Sequence, residues 1–125
     1  HTLVRLEVRT DGLYRPRLRA EQAEQLRQLV TEAFSNVLRH AHASTVSVAM
    51  TCTKRRFTLV IADDGAGFDP EAPPRSAGRR GQAQGLGNIR RRAELLAAEL
   101  TIESAPGQGT RLSLTMPVAS ARRPS

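Results

Sequence analysis

A pair of acidic residues stands between an apolar stretch and a glycine turn, and this is the part of the chain best suited to chemistry. Asp63 and Asp64 follow the stretch 57–62 (Phe-Thr-Leu-Val-Ile-Ala) and precede Gly65 and Gly67. A carboxylate at the end of a strand can be held at the floor of a pocket, and glycines let the backbone approach a ligand where a Cβ would collide. This arrangement suits recognition of a base that carries an exocyclic amine, although Asp and Gly together are also ordinary turn formers.

Three further blocks flank this pair in the sequence. Glu32, Asn36 and His40 lie four residues apart on a helical pattern, which places them in one polar row beside an apolar face. Residues 85–88 (Gly-Leu-Gly-Asn) open a second helical pattern, and residues 107–110 (Gly-Gln-Gly-Thr) precede the last strand-like stretch. The acidic pair is one of four blocks that the fold has to bring together.

In their order and spacing, the four blocks resemble the ATP-binding catalytic domain of bacterial two-component sensor histidine kinases. This domain is part of the GHKL superfamily, which also includes gyrase-type topoisomerases, heat-shock chaperone ATPases and mismatch-repair proteins. The resemblance covers about residues 3–118, and residues 39–41 (Arg-His-Ala) and 85–96 are similar to the nitrate-sensor and DesK-like subfamily. It implies that the domain binds ATP with Mg²⁺ and donates the γ-phosphoryl group to a histidine on a separate dimerisation domain of the same parent protein. In such a phosphorelay the signal then passes to a response regulator, here one with a helix-turn-helix output.

The resemblance also implies roles for the first block. Asn36 is the expected Mg²⁺ ligand, a role that suits an amide oxygen because Mg²⁺ prefers hard oxygen ligands. Glu32 matches a position that polarises a water molecule in ATP-hydrolysing relatives, so Glu32 and Asn36 are the expected catalytic residues. Arg39 and His40 are expected to contact the phosphates, for which a guanidinium group is well suited.

For the nucleotide base, the resemblance implies that Asp63 accepts a hydrogen bond from the N6 amine of adenine and that Thr110 completes this contact through water. Asp64 stands where many relatives have Asn, which argues against a direct phosphate or metal contact by this residue. Free N–H groups before a helix beginning near Asn88 would attract the phosphates, although a plain loop-to-helix junction needs no ligand. The other implied cofactor-binding residues lie in the glycine-containing blocks: Gly65, Gly67, Gly85, Leu86 and Gly87.

The hydrophobic periodicity predicts the elements that must position these residues. In chain order they are a strand around residues 3–8, a helix at 20–41, strands at 46–53 and 57–62, a helix at 88–98, and strands at 100–104 and 110–117. Helices on one face of a mixed, mainly antiparallel sheet form a two-layer α/β sandwich of the α+β class. The resemblance implies the Bergerat ATP-binding fold, and we expect residues 1–125 to be a single ATP-binding domain.

Residues 69–84 contain prolines and glycines and no periodic apolar set. A loop of this length in a compact domain is usually a functional lid or disordered, and the resemblance implies that it is the ATP lid. Arg75, Arg79 and Arg80 could reach phosphates on closure, while a solvated basic loop would account for them equally well. The tail, at about residues 119–125, is expected to be disordered.

The composition narrows the remaining classes. Cys52 is the sole cysteine, which excludes a disulfide framework and favours a reducing, cytoplasmic compartment. Because Cys52 falls in a strand-like stretch, it is expected to be a small buried hydrophobe instead of a reactive thiol. No apolar stretch has membrane-spanning length, although a parent protein could still be membrane-anchored. The net charge of +7 is compatible with nucleic-acid binding, but the chain has no Trp, one Tyr and three Phe. Because stacking platforms are few, no direct nucleic-acid contact is expected.

None of the three histidines is followed by the acidic residue that marks the phosphate-accepting histidine of such kinases, since His1, His40 and His42 precede Thr, Ala and Ala. The chain is therefore expected to bind Mg·ATP without phosphorylating itself. Two alternatives from other classes remain: an anti-sigma-factor kinase module that phosphorylates serine on a regulatory protein, and an interaction domain that holds nucleotide without chemistry. The helical stretch 90–96 (Arg-Arg-Arg-Ala-Glu-Leu-Leu) favours the sensor kinase.

Overall fold

The structure, a computed structural model, describes residues 3–69 and 80–124. Within these ranges, groups of two or three strands are separated by helices along the chain. In order, the elements are β1 (Arg5–Asp11), β2 (Tyr14–Arg17), α1 (Ala20–Asn36) with a π-helical continuation (Val37–Ala41), β3 (Thr45–Cys52), β4 (Arg56–Asp63), α2 (Arg80–Leu95), β5 (Glu99–Ser104), β6 (Thr110–Pro117) and β7 (Ala119–Arg122).

Among the described residues, five strands form one sheet in the order β1-β3-β4-β6-β5, and β2 and β7 form a separate two-stranded sheet. β1 runs parallel to β3, whereas the β3–β4, β4–β6 and β5–β6 pairs are antiparallel. The helices α1 and α2 pack against each other and share one buried cluster with the inner face of the large sheet. The predicted two-layer α/β sandwich, with a mixed and mainly antiparallel sheet and helices on one face, is confirmed.

The core lies between the helices and the sheet because apolar side chains alternate along the central strands. Successive side chains of a strand point to opposite faces, so the buried residues of β4 and β6 all face the helices. They are Phe57, Leu59, Ile61, Leu112, Leu114 and Met116. The helices contribute Leu29, Ala33, Ile89 and Ala93 to the same cluster. This packing holds β4 in place, and with it the acidic pair at the end of the strand.

β1 differs from the central strands, since all seven of its residues are exposed. Leu6 and Val8 are paired with Val46 and Val48 of β3, so their side chains point to the helix side of the sheet. They nevertheless remain 56% and 60% exposed. β1 is an edge strand that the helices do not cover, which explains why an apolar alternation here predicted a strand without producing a buried one.

The second helix begins earlier than predicted, at Arg80 instead of about Asn88. Residues 82–84 (Gln-Ala-Gln) are good helix formers, whereas glycines in a helix interior are unfavourable. Packing on α1 compensates for the glycines, since a Cβ on Gly85 would lie 2.5 Å from Oδ1 of Asn36. The sequence pattern therefore placed the helix start two turns too late.

The expected lid falls mainly on residues 70–79, which lie outside the described residues, so the lid stays a prediction. Residues 80–84, the last part of the expected lid, belong to α2.

The expectation of a disordered tail is wrong for Ala119–Arg122, which form β7 and pair antiparallel with β2. β2 is not part of the large sheet. By pairing with β2, β7 satisfies backbone hydrogen-bonding groups of β2 that would otherwise face solvent.

Cys52, at the end of β3, is buried, with 3% of its surface exposed. Its thiol donates a hydrogen bond to the carbonyl oxygen of Thr53 at 3.3 Å. Burial raises the pKa of the thiol, and a reactive cysteine needs the thiolate form. The prediction that Cys52 is buried is confirmed, and the raised pKa disfavours the reactive form.

Candidate functional site

A narrow pocket lies between α1, α2 and the ends of the central strands. Its walls are mostly apolar, and three polar side chains, those of Asn36, Asp63 and Thr110, line it together. Apolar walls with a few convergent polar groups are typical of a ligand site. The apolar lining consists of Ala33, Val37, Ile61, Phe68, Leu86, Ile89, Ile102 and Leu112.

Asp63 is the last residue of β4 and is paired with Val46 of β3 and Thr110 of β6. Its Oδ1 accepts a hydrogen bond from the amide N–H of Gly65 at 2.8 Å. Burial raises the pKa of the Asp63 carboxyl, the Gly65 amide opposes this rise, and the neighbouring Asp64 adds to it. Asp63 is therefore a half-buried acceptor, held at the wall of the pocket by its strand and by the turn that follows.

Asp64 has a different role from Asp63. Its carboxylate accepts hydrogen bonds from the amide of Ser44 at 2.9 Å, the hydroxyl of Ser44 at 2.5 Å and the amide of Thr45 at 2.9 Å. These bonds, led by that of the Ser44 hydroxyl, lower the pKa of the Asp64 carboxyl. Asp64 thus joins the end of β4 to the start of β3, a structural role that no spacing in the sequence indicated.

The loop after β4 and the turn between β5 and β6 approach each other too closely for side chains. Gly67 and Gly109 have positive φ angles of 65° and 72°. A Cβ on Gly67 would lie 2.1 Å from the carbonyl oxygen of Ala105, and a Cβ on Gly109 would lie 2.1 Å from that of Asp63. Both positions require glycine because these distances are far below van der Waals contact.

Replacing Gly109 by Ala is expected to lower the free energy of unfolding by about 3 kcal/mol or more. The alanine must adopt a left-handed backbone, which costs roughly 1–2 kcal/mol, and its Cβ collides with the Asp63 carbonyl 2.1 Å away. Urea unfolding measures the loss.

Gly107→Ala is the matched control for Gly109→Ala. Gly107 has a φ of 80°, but among the described residues no atom from beyond its chain neighbours lies within 4 Å of its Cβ position. Backbone strain alone then costs roughly 1–2 kcal/mol. Equal losses for the two variants would contradict the expected collision.

Ser104, the last residue of β5, lies directly opposite Thr110 of β6. Its hydroxyl oxygen is 2.9 Å from each of three groups: the amide nitrogen of Phe68, the carbonyl oxygen of Gly109 and the hydroxyl oxygen of Thr110. It connects the loop after β4 to the β5–β6 hairpin at the pocket. Sequence reasoning missed Ser104, and the signal that could have found it is its position across the hairpin from Thr110.

The two predicted catalytic residues of α1 are placed differently. Asn36 lines the pocket, where its amide packs against Gly85 of α2. Oε1 of Glu32 accepts a hydrogen bond from Nδ2 of Asn88 at 3.2 Å, and both residues border a polar groove between the helices. The structure therefore brings Asn36 into the pocket that contains Asp63 and leaves Glu32 beside it.

The glycines of the second helix do not behave as expected. In an α-helix, only the first N–H groups lack a partner within the helix. Because α2 begins at Arg80, Gly85 and Gly87 lie beyond these groups, and the expectation that they offer free N–H groups is wrong in this structure. Leu86, between them, lines the pocket through its side chain.

Two further candidates lie on the π-helical continuation of α1. Arg39 is exposed there, while the side chain of His40 lies outside the described residues, so its contact with phosphate stays a prediction.

Within the described parts of the chain, neither helix has the length and apolar character that crossing a membrane would require.

Comparison with known protein families gives a match over most of the chain. Residues 21–120 match the family described as histidine kinase-, DNA gyrase B-, and HSP90-like ATPase. The chain belongs to this family. The matched range contains the three polar pocket residues Asn36, Asp63 and Thr110.

Curated relatives define the type more closely. The chain is 39% identical over 105 residues to the sensor histidine kinase YhcY of Bacillus subtilis (strain 168), a match that covers 84% of this chain and 26% of that protein. It is 34% identical over 93 residues to the signal transduction histidine-protein kinase/phosphatase DegS of Brevibacillus brevis, covering 74% of this chain and 22% of that protein. These relatives confirm the prediction of an ATP-binding catalytic domain of a sensor histidine kinase. The chain spans about a quarter of their length.

Solved structures of histidine kinases share the fold. The histidine kinase domain of the blue-light activated kinase EL346 of Erythrobacter litoralis superposes with a TM-score of 0.72 at 22% identity, over 94% of this chain and 53% of that one. Full-length ShkA in complex with AMPPNP superposes with a TM-score of 0.75 at 20% identity, over 98% of this chain and 27% of that one. These likenesses support the α/β sandwich described above.

Proposed function

We propose that this domain binds Mg·ATP in the pocket lined by Asn36 and Asp63 and donates the γ-phosphoryl group to a histidine on a separate dimerisation domain of its parent protein. The observation that carries the proposal is that Asn36, Asp63 and Thr110 line one apolar pocket. A carboxylate acceptor and an amide oxygen in the same pocket suit a ligand with an amine-bearing base and a phosphate tail. A response regulator with a helix-turn-helix output would receive the phosphoryl group next.

Asp63 is the proposed reader of the base. Its carboxylate accepts a hydrogen bond from the N6 amine of adenine, and Thr110 on the neighbouring strand completes the contact. Guanine presents a keto oxygen at the same place and would leave the carboxylate unpaired. An unpaired buried acceptor costs roughly 1–3 kcal/mol, which corresponds to about ten- to hundred-fold discrimination. Gly65 would keep the backbone next to Asp63 free of a side chain that could obstruct the base, and Gly67 lets the loop after β4 approach the β5–β6 turn.

Asn36 is the proposed Mg²⁺ ligand. Mg²⁺ usually keeps several waters and binds one or two protein oxygens together with substrate phosphates, and a single amide oxygen in the pocket fits this pattern. The ion would neutralise charge on the phosphate tail. Glu32 lies one turn before Asn36 on α1 and accepts a hydrogen bond from Asn88 of α2. It would polarise water in the outer shell of the ion. Arg39 and His40 would contact the phosphates.

The pocket must widen to admit a nucleotide. Its free volume is about 40 Å³, whereas ligand pockets usually offer about 300–1,000 Å³. Phe68 and Leu86 both line it, and Gly85 packs on the Asn36 amide. We therefore expect the first turns of α2 to move away from Asn36 when a nucleotide binds.

Isothermal titration calorimetry with ATP and GTP, each with and without Mg²⁺, tests the proposal. We expect ATP to bind at least about ten-fold more tightly than GTP. Mg²⁺ should tighten the binding of ATP but not of adenosine, which has no phosphates. Equal affinities for ATP and GTP, or binding of neither, would rule out the proposed nucleotide site.

The relatives favour this function over the two alternatives that the sequence left open. YhcY and DegS are both histidine kinases by name, which favours phosphoryl transfer to histidine over transfer to serine in an anti-sigma-factor module. The names of these relatives also favour catalysis over an interaction domain that only holds nucleotide.

The unpaired Cys52 and the proposed ATP site are consistent with a cytoplasmic location.

A further inference from the structure

We propose that Ser104 sets the direction of the Thr110 hydroxyl and thereby makes the pocket selective for a base with an amine at its 6-position. This role presupposes the proposed nucleotide site, and it makes Ser104 a positioning residue that acts through Thr110. Both side chains end in hydroxyl groups, and a hydroxyl group has one proton to donate and two lone pairs with which to accept. The contacts around Ser104 decide which of these Thr110 presents to the pocket.

The Ser104 hydroxyl has three partners but only one proton. The amide of Phe68, 2.9 Å away, can only donate, so it occupies one lone pair of the Ser104 oxygen. The carbonyl of Gly109, also 2.9 Å away, can only accept, so it takes the Ser104 proton. The Thr110 hydroxyl, at 2.9 Å, then donates to the remaining lone pair. The reverse direction would withdraw the Ser104 proton from the Gly109 carbonyl, and buried carbonyl groups are rarely left without a donor.

With its proton committed to Ser104, the Thr110 hydroxyl presents only lone pairs to the pocket. Asp63 is paired with Thr110 across β4 and β6, and its carboxylate is an acceptor as well. The pocket therefore presents two acceptors from adjacent strands. An amine carries two protons and can satisfy both acceptors, directly or through water, whereas a keto oxygen would face lone pairs on both sides.

The backbone holds Ser104 in this position from two sides. The β5–β6 register places it opposite Thr110, and the loop after β4 reaches it through the Phe68 amide. A hydroxyl group that lacks such a partner rotates to suit its ligand. Without Ser104, Thr110 would be free to donate to a keto oxygen, and the distinction between amine and keto bases would rest on Asp63 alone.

Comparison of ATP with ITP, in which a keto oxygen replaces the 6-amine, tests this role. Calorimetry on each variant of the chain gives the ratio of the two affinities. For Ser104→Ala we expect the preference for ATP over ITP to fall by about ten-fold, because the released Thr110 hydroxyl donates to the keto oxygen. Ser104→Cys keeps the side-chain volume but bonds weakly through its thiol, so it should show the same fall and replaces Ser104→Ala if that variant does not fold. Ser104→Thr keeps the hydroxyl and should retain the preference within about two-fold.

A double-variant cycle with Thr110→Val shows whether Ser104 acts through Thr110. In the Thr110→Val background there is no hydroxyl to orient, so Ser104→Ala should leave the ratio unchanged. Equal weakening of ATP and ITP by Ser104→Ala would overturn the proposal by showing a merely structural role. A change in the ratio that persists without the Thr110 hydroxyl would overturn it too.

The unsubstituted chain separates the failure of this role from failure of the proposed function. If it binds neither ATP nor ITP, the nucleotide site is wrong, and the role of Ser104 falls with it. If it prefers ATP and Ser104→Ala keeps the full preference, the nucleotide site stands and the role of Ser104 alone is refuted.

Discussion

Replacing Asp63 by Asn should lower the affinity of the domain for ATP by about a hundred-fold or more. Oδ1 of Asp63 accepts from the Gly65 amide at 2.8 Å, and the Asn oxygen would keep that bond, which turns the NH₂ group toward the base. A charge-assisted hydrogen bond to the N6 amine is then replaced by two donors that face each other, a loss of about 3 kcal/mol or more. Titration with a fluorescent ATP analogue, or calorimetry, measures the affinity.

The fold should survive this change because Asn keeps the volume of Asp and removes a partly buried charge. The matched control is Asp64→Asn. The Asp64 carboxylate bonds to the amides of Ser44 and Thr45, which an Asn oxygen can also accept, so ATP affinity should stay within about two-fold. An unchanged affinity for Asp63→Asn, or the same loss in both variants, would contradict the role assigned to Asp63.

The pH dependence of binding gives the same role a second readout. Burial raises the pKa of the Asp63 carboxyl, so this group takes up a proton at a higher pH than an ordinary aspartate. The protonated form has lost its charge, and affinity for adenosine should therefore fall as the pH is lowered through the raised pKa. Adenosine is the suitable probe because it has no phosphates that titrate. Asp63→Asn should bind weakly and keep only the pH dependence that comes from protonation of adenine N1 in adenosine itself.

Replacing Asn36 by Ala should slow phosphoryl transfer to a supplied histidine-bearing dimerisation domain by about a hundred-fold or more, since metal stabilisation of developing charge is worth several kcal/mol. The variant loses the amide oxygen proposed to hold Mg²⁺ against the phosphates. Its affinity for adenosine should not change, because Asp63 and Thr110 are untouched. Transfer of radiolabelled phosphate, measured across a Mg²⁺ titration, gives the rate and its metal dependence.

Gln28→Ala is the control for Asn36→Ala. Gln28 lies two turns earlier on α1, and its amide bonds to Glu24 at 2.9 Å instead of facing the pocket. Removing it should leave the transfer rate and its Mg²⁺ dependence as they are. If Asn36→Ala transfers phosphate as fast as Gln28→Ala and with the same Mg²⁺ dependence, Asn36 is not the metal ligand.

The sequence was sufficient for elements whose partners are near in the chain. Val46 and Val48 alternate with polar residues, as do Phe57 and Leu59, and a short polar turn separates the two runs. A period of two on both sides of a turn predicts an antiparallel hairpin with one buried face, and β3 and β4 form that hairpin.

Elements that depend on distant partners could not be predicted in this way. Residues 119–122 (Ala-Ser-Ala-Arg) alternate only small alanines with polar residues, which is a weak strand signal, and they form a strand because β2, near the other end of the chain, pairs with them. α2 extends back to Arg80 because its packing on α1 outweighs the low helix propensity of Gly85 and Gly87. Neither contact has a local sequence signal.

The residues of the candidate site show the same difference between what the sequence pattern reveals and what depends on distant contacts. Asn36, Asp63 and Thr110 were identified through the resemblance of the four blocks, and the structure places them in one pocket. Ser104 and the hydrogen bonds of Asp64 were not identified. The one signal for Ser104 is its position across the β5–β6 hairpin from Thr110, and the second of two acids carries no spacing signal. What they do depends on which backbone groups come within hydrogen-bond distance once distant segments have folded together.

The burial of Cys52 has a practical consequence for following α2 during nucleotide binding. Maleimide reagents are attacked by thiolates, and this cysteine, the sole one of the chain, is covered and held toward its thiol form. A cysteine introduced at the exposed Arg91 of α2 would react far faster, so the native thiol need not be removed first. A fluorophore attached there would report in real time whether the helix changes position when ATP is added.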